Sequence, residues 1–156
     1  MRHGKAGFTL IELVVTLSVV AILAAMALPR YIALQSHARV AKAQAIFGGV
    51  RSAAALAHAL VLATNTVTSD AATISMEGQE VNVINGYPTA DANGIITATQ
   101  MNPIADDITL SGGGPGAGDL MTIEINGGTA GACTVTYQAS AAANTSPTIA
   151  SSTVGC

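Results

Sequence analysis

No lysine or arginine follows Arg51, although about two thirds of the 156-residue chain is still to come. Phosphate contacts need cationic side chains on the binding face, so nucleic acid is excluded as the primary ligand of that part. Cysteine is scarce as well. Cys133 and Cys156 stand alone, without a CxxC partner or a histidine at metal-ligand spacing, and no metal site is expected from them. The glycine-rich run Ser111–Gly118 lacks the lysine and the Ser/Thr of a phosphate-binding loop, and reads as a flexible surface loop. No Cys–His pair, metal-ligand spacing or clustered acid pair with a base is present, so the chain does not read as an enzyme and calls for no cofactor. Tryptophan is absent, with only two phenylalanines and three tyrosines, so the second half has few large apolar residues of its own.

What the chain does have is unevenly spread. Half of its residues are apolar, but Phe8–Leu28 is almost wholly aliphatic while the later sequence is rich in Gly, Thr, Ser, Asn and Ala. As a helix, those 21 residues span about 30 Å, the thickness of a bilayer's hydrocarbon layer. Arg2 and Lys5 precede the run, which orients the leader toward the cytoplasm. Arg30, Arg39, Lys42 and Arg51 follow it, and eight of the nine acids lie between Asp70 and Glu124. A basic stem joined to an acidic head is the simplest description. The two cysteines, in a chain with an export-type start, suit a disulfide in an oxidising compartment, worth roughly 3–4 kcal/mol in the chain-entropy account.

Three readings of the start compete. Ala25-Met26-Ala27 fits the small-x-small pattern of secretory signal cleavage, although the apolar run is longer than usual for one. An unprocessed membrane anchor is the second reading. Neither gives a purpose to Glu12, a carboxylate within the apolar run that costs about 2–3 kcal/mol or more near a membrane's centre. The third is a cut after Gly7. Phe8 then becomes the N-terminus, its ammonium four residues before Glu12, and cation and anion share one apolar layer. Between copies, the amine of an incoming Phe8 would neutralise the Glu12 of a neighbour, a pairing that poor solvation strengthens.

Gly7-Phe8-Thr9-Leu10-Ile11-Glu12-Leu13 closely resembles the class III signal of type IV prepilins and of type II secretion pseudopilins. The resemblance implies cleavage between Gly7 and Phe8 by a prepilin peptidase, N-methylation of Phe8 and an assembly role for Glu12. It also implies residence in the inner membrane before assembly, with the head in the periplasm, an assembly platform in that membrane, and a homopolymer as the mature surface form. Pro29 stands where the family often carries a helix-bending proline. No glycine lies between Phe8 and Pro29, however, where many pilins have one, and alanines hold the helix better there. Arg39–Ala43, Gly86-Tyr87-Pro88-Thr89 and the Cys133/Cys156 pair resemble mannose-sensitive haemagglutinin (MSHA) pilins more loosely.

Beyond Pro29, Val40, Ala43, Phe47, Val50, Ala54, Ala57 and Val61 recur in steps of three and four, predicting a helix buried along one side to about Leu62. Gly48-Gly49 within it suits either the close approach of another element or a tolerated soft spot. His58 and His37 read as helix-surface or interface residues. Thr73–Met76 and Glu80–Ile84 predict a strand pair about a glycine turn, ended by Asn85–Pro88. Thr89–Met101 reads as a short helix, Leu120–Ile125 and Cys133–Gln138 as a hairpin, and Pro147–Val154 as a last strand bringing Cys156 to Cys133. Asp91–Gly94 has the start of a calcium loop without its later acid. The expected fold is α+β: a small sheet of short antiparallel strands on the amphipathic half of one long helix, which must supply much of the core. The segments are a leader at 1–7, a transmembrane and assembly helix at 8–28, an amphipathic helix at 29–63 and a β-rich head at 64–156. A pilus subunit for adhesion, motility or DNA uptake is the leading function. A type II secretion pseudopilin is the nearest alternative, and an exported binding protein cut after Ala27 the third.

Overall fold

The computed structural model describes residues 7–66 and 71–156. The leader expected at 1–7 lies outside the described residues except for Gly7, as does the part of the expected linker from Val67 to Asp70. A single helix, α1, runs Leu10–Thr64 through Pro29. Proline cannot donate to the carbonyl four residues earlier, but one missing bond in so long an aliphatic and alanine-rich segment does not end the helix. Its end is built from backbone. Asn65 adopts φ 53°; its N–H bonds the Leu62 carbonyl at 3.4 Å and that of Thr66 the Val61 carbonyl at 3.1 Å. This paired closure satisfies two carbonyls that would otherwise be orphaned.

The chain divides into two units, Met1–His37 and Ala38–Cys156. In the first, every described side chain from Phe8 to Gln35 is exposed. In the second, the predicted stripe turns inward: Ala43, Val50, Ala54, Ala57 and Val61 are buried and Val40 and Phe47 are half-buried. Gly48 and Gly49 are exposed, and nothing lies within 4 Å of a β-carbon added at either.

Seven strands form two antiparallel sheets, where one small sheet was expected. The first contains β1 (Ala72–Met76), β2 (Gln79–Ile84) and β3 (Tyr87–Pro88); the second contains β4 (Ile108–Gly112), β5 (Leu120–Ile125), β6 (Thr134–Gln138) and β7 (Thr148–Ser152), each paired in sequence order. Alternation assigns the faces: Ile74, Met76, Val81 and Val83 point inward from the first sheet, and Met121, Ile123, Ile125, Val135 and Tyr137 from the second. Each sheet packs on its own stretch of α1. Ala43, Val50 and Ala54 meet the four-stranded sheet, whereas Ala57 and Val61 meet the three-stranded one.

The helix does not carry the bulk of this core. The largest fully buried side chains are Tyr137, Ile95, Ile123 and Ile125, all from the head. Alanines on α1 leave the room those side chains fill. The short helix expected over Thr89–Met101 is also corrected: a π-helical turn at Ala92–Ile96 passes into one α-turn, Thr97–Thr99 (α2). Gly94 breaks it with φ −99° and ψ −105°, and a β-carbon there would come within 2.2 Å of the Thr89 carbonyl oxygen. The glycine run is not a free loop either. Ser111 and Gly112 close β4, the Gly113 N–H bonds Leu120 at 2.7 Å and the Gly114 N–H bonds Ala90 at 2.9 Å.

Candidate assembly site at the start of the helix

Gly7, Phe8 and Thr9 are not helical, and Leu10 is the first helical residue, which makes Thr9 the N-cap. Its hydroxyl oxygen accepts the Glu12 N–H at 3.3 Å, while Glu12 Oε2 accepts the Thr9 N–H at 3.2 Å and the Thr9 hydroxyl at 2.9 Å. A threonine and a glutamate three residues apart thus satisfy each other's backbone donors, the reciprocal arrangement called a capping box. The Glu12 carboxylate also lies in the first turn, where the helix dipole favours negative charge. Among the described residues all its side-chain bonds fall on Oε2, leaving Oε1 for a donor from elsewhere.

Around this carboxylate the surface is apolar. Phe8 is 74% exposed and Leu10, Ile11 and Leu13 are exposed beside it. Farther along, the hydroxyls are self-satisfied: Thr16 bonds the Leu13 carbonyl at 2.9 Å and Ser18 the Val14 carbonyl at 2.8 Å. α1 is long and apolar enough to cross a membrane. Gly7 is exposed, with open space where a side chain would be, so the Gly7–Phe8 bond is accessible from the Gly7 side. Thr9 went unnoticed as a site residue in the sequence. The signal was present as Thr-x-x-Glu before an apolar run.

The other candidates fall elsewhere. Cys133 and Cys156 form a disulfide, with their α-carbons 4.8 Å apart. Pro29 is an exposed residue within α1. Arg39 and Lys42, part of the basic stem, each bond a carbonyl of the head. Arg39 Nε donates to the Cys156 carbonyl at 2.5 Å and Lys42 Nζ to the Asp107 carbonyl at 3.0 Å. Arg30 and Arg51 remain exposed. His58 stacks on Tyr87 with ring centroids 4.2 Å apart. Its Nδ1 lies 2.9 Å from the Gly86 carbonyl, which can only accept, so this nitrogen carries the proton. Asp91 Oδ1 accepts the Thr89 hydroxyl at 2.8 Å, and among the described residues no three potential metal ligands cluster.

Residues 2–28 match the family described as the prokaryotic N-terminal methylation motif. The chain is 40% identical over 99 residues to the type IV major pilin protein PilE of Neisseria gonorrhoeae, covering 60% of this chain and 59% of that protein. It is 36% identical over 108 residues to the type IV narrow pilus major component PilA5 of Thermus thermophilus, covering 69% of this chain and 88% of that one. The fimbrial protein EcpC of Eikenella corrodens is 33% identical over 102 residues, covering 64% of this chain and 65% of its own length. The chain therefore spans less than two thirds of the gonococcal and Eikenella proteins but nearly all of the Thermus one. No solved structure matches significantly. With the methylation motif lying on the residues that cap and open α1, and most of the narrow-pilus component aligned to it, the chain belongs to the type IV pilin family.

Proposed function

We propose that this protein is a structural subunit of a type IV pilus, without enzymatic activity, that works in adhesion, motility or DNA uptake through being polymerised. One observation carries the reading: a carboxylate held ready by a capping box at the start of the exposed, almost wholly apolar stretch Phe8–Leu28. In the inner membrane, residues 1–7 act as the leader and Phe8–Leu28 as the membrane-spanning part of the helix, while residues 29–63 carry the β-rich head at 64–156. A prepilin peptidase cuts between Gly7 and Phe8 and methylates the new amine. The cut leaves the capping box whole, because the Thr9 N–H lies one peptide bond beyond it. An assembly platform then packs the apolar helices together, and the Phe8 amine of one copy meets the Glu12 Oε1 of another. Attraction across a poorly solvated layer fixes the axial step, and a copy out of register leaves a buried charge unpaired, which costs several kcal/mol.

Names given to the relatives, major pilin, narrow-pilus component and fimbrial protein, favour a pilus over a pseudopilus. Mass spectrometry of the mature chain from sheared filaments tests the processing, with Phe8 expected as the first residue and one methyl group on its amine. Any other first residue removes the proposal. Glu12→Gln tests the charge, since glutamine still completes a capping box while losing the anion. We expect filament yield to fall at least about tenfold, as the loss of a buried, bonded charge pair requires.

A further inference from the structure

Polymerising a chain into an open helical filament requires two different, complementary patches on each copy, and the head carries such a pair. The first is a groove of about 530 Å³ whose lining includes Phe47, Arg51, Ala54 and His58 of α1 together with Pro147 and Ile149. Its lining mixes apolar side chains, Phe47, Ala54, Pro147 and Ile149, with polar ones, and its cation, Arg51, is exposed. The second is the turn Asn102–Asp107, which presents Ile104 at 93% exposure beside two exposed acids, Asp106 and Asp107.

A lone exposed isoleucine is ordinary on a protein surface, but this one is rigidly mounted. Asn102 Oδ1 accepts the N–H groups of Ile104 and Ala105 at 3.1 and 3.2 Å, and Asp106 Oδ2 accepts the Asn102 N–H at 2.8 Å. The Ile108 N–H closes the turn on the Pro103 carbonyl at 3.0 Å. A backbone held in place before contact has little loop entropy left to lose on binding, which suits an anchor. Knob and groove also lie on different flanks. Phe47, Arg51, Ala54 and His58 share one face of α1, while Ile46 and Gly49, which line the hollow beside Asp106, lie roughly 140° round the helix.

We propose that the Ile104 turn of one subunit docks into the Arg51–His58 groove of a neighbouring copy, Ile104 against Phe47 and Ile149 and the Asp106 and Asp107 side toward Arg51. Opposite charge, apolar match and separate flanks together favour a second copy of this chain as the occupant. Asp106 and Asp107 each use one carboxylate oxygen in side-chain bonds within the head, leaving the other to face a cation. The contact rests on the filament reading above and deepens it by naming the surfaces through which heads meet.

The test uses the full chain in assembled filaments, with a photo-crosslinking amino acid in place of Ile104. Irradiation is expected to give a ladder of multimers whose adducts map to Phe47–His58 or Ser146–Ile149 of another copy. Filaments that form but give adducts elsewhere, adducts to another molecule, or none at all overturn the docking and leave the polymer reading standing. Failure of the unmodified chain to enter any filament removes both. In parallel, Ile104→Ser should lower filament yield about tenfold, and Arg51→Ala and Asp107→Asn should each lower it, with that double variant little worse than either, as expected of residues in one contact. Head melting temperatures should stay unchanged, so that misfolding does not account for the loss. Additive losses or undiminished yields overturn the proposal.

Discussion

At the start of the helix two roles converge on one side chain. Glu12 caps α1 through its bonds to Thr9, and it carries the charge proposed to meet another copy's amine. Conservative substitutions separate these roles. Thr9→Val removes the hydroxyl that accepts the Glu12 N–H and should cost about 1 kcal/mol at the helix start, whereas Thr9→Ser should be nearly silent. Circular dichroism of the full chain in detergent micelles, followed through thermal unfolding, checks the ordering. Arg39 and Lys42 belong to the basic stem in the sequence. Each also bonds a head carbonyl. Arg39→Glu should therefore destabilise the head itself, lowering its melting temperature as well as filament yield. A head of unchanged stability would count against this tie.

Among the elements, the first sheet is fixed by two matched turns. Glu77 and Gly78 have φ 50° and 81°, and Asn85 and Gly86 have φ 54° and 83°. Positive φ at both central residues is the hairpin turn that suits the right-handed twist of paired strands. The first hairpin is legible because its strands alternate over five and six residues. The second is not, since β3 has only two residues, too few to show a period, and Asn85-Gly86 then reads as the end of a strand. Gly86 carries a further constraint: a β-carbon there would lie 3.2 Å from His58 Nδ1. Gly86→Val should destabilise by more than the roughly 1 kcal/mol that a positive φ alone imposes, and by more than Gly78→Val, whose site is open. Urea unfolding of the two variants measures the difference.

For the molecule as a whole, stability depends on ties between segments far apart in sequence. The Cys133–Cys156 bond brings the Cys156 carbonyl to Arg39, and the Gly155 carbonyl accepts the Thr129 N–H at 2.8 Å. Replacing both cysteines with serine should cost roughly 3–4 kcal/mol in chain entropy. Tyr137 ties the two sheets, its buried hydroxyl donating to the Pro88 carbonyl at 2.7 Å. Burial, with a smaller contribution from Tyr87, pushes this hydroxyl well above the ordinary tyrosine range. A folded-state value above the unfolded one gives stability that is fully present below about pH 10 and declines above it, where only the unfolded chain readily gives up the proton. Tyr137→Phe should be less stable at neutral pH, for want of the bond, yet flatter in alkali. An unfolding series from pH 8 to pH 11.5, within the range over which tyrosine titrates, distinguishes the two slopes.

Features that depend on near neighbours were already legible in the residue order: an apolar span, a carboxylate in its first turn, a 3.6-residue stripe and the β1–β2 and β5–β6 hairpins. Hydrogen bonds and side-chain facing at separations of two to four residues are set by local geometry. Tertiary structure decided the rest. The division of seven strands into two sheets, the choice of carbonyls by Arg39 and Lys42, and the mounting of Ile104 across from a groove all join distant residues. Their alternatives differ in long-range packing and hydrogen bonding, which periodicity along the chain does not register.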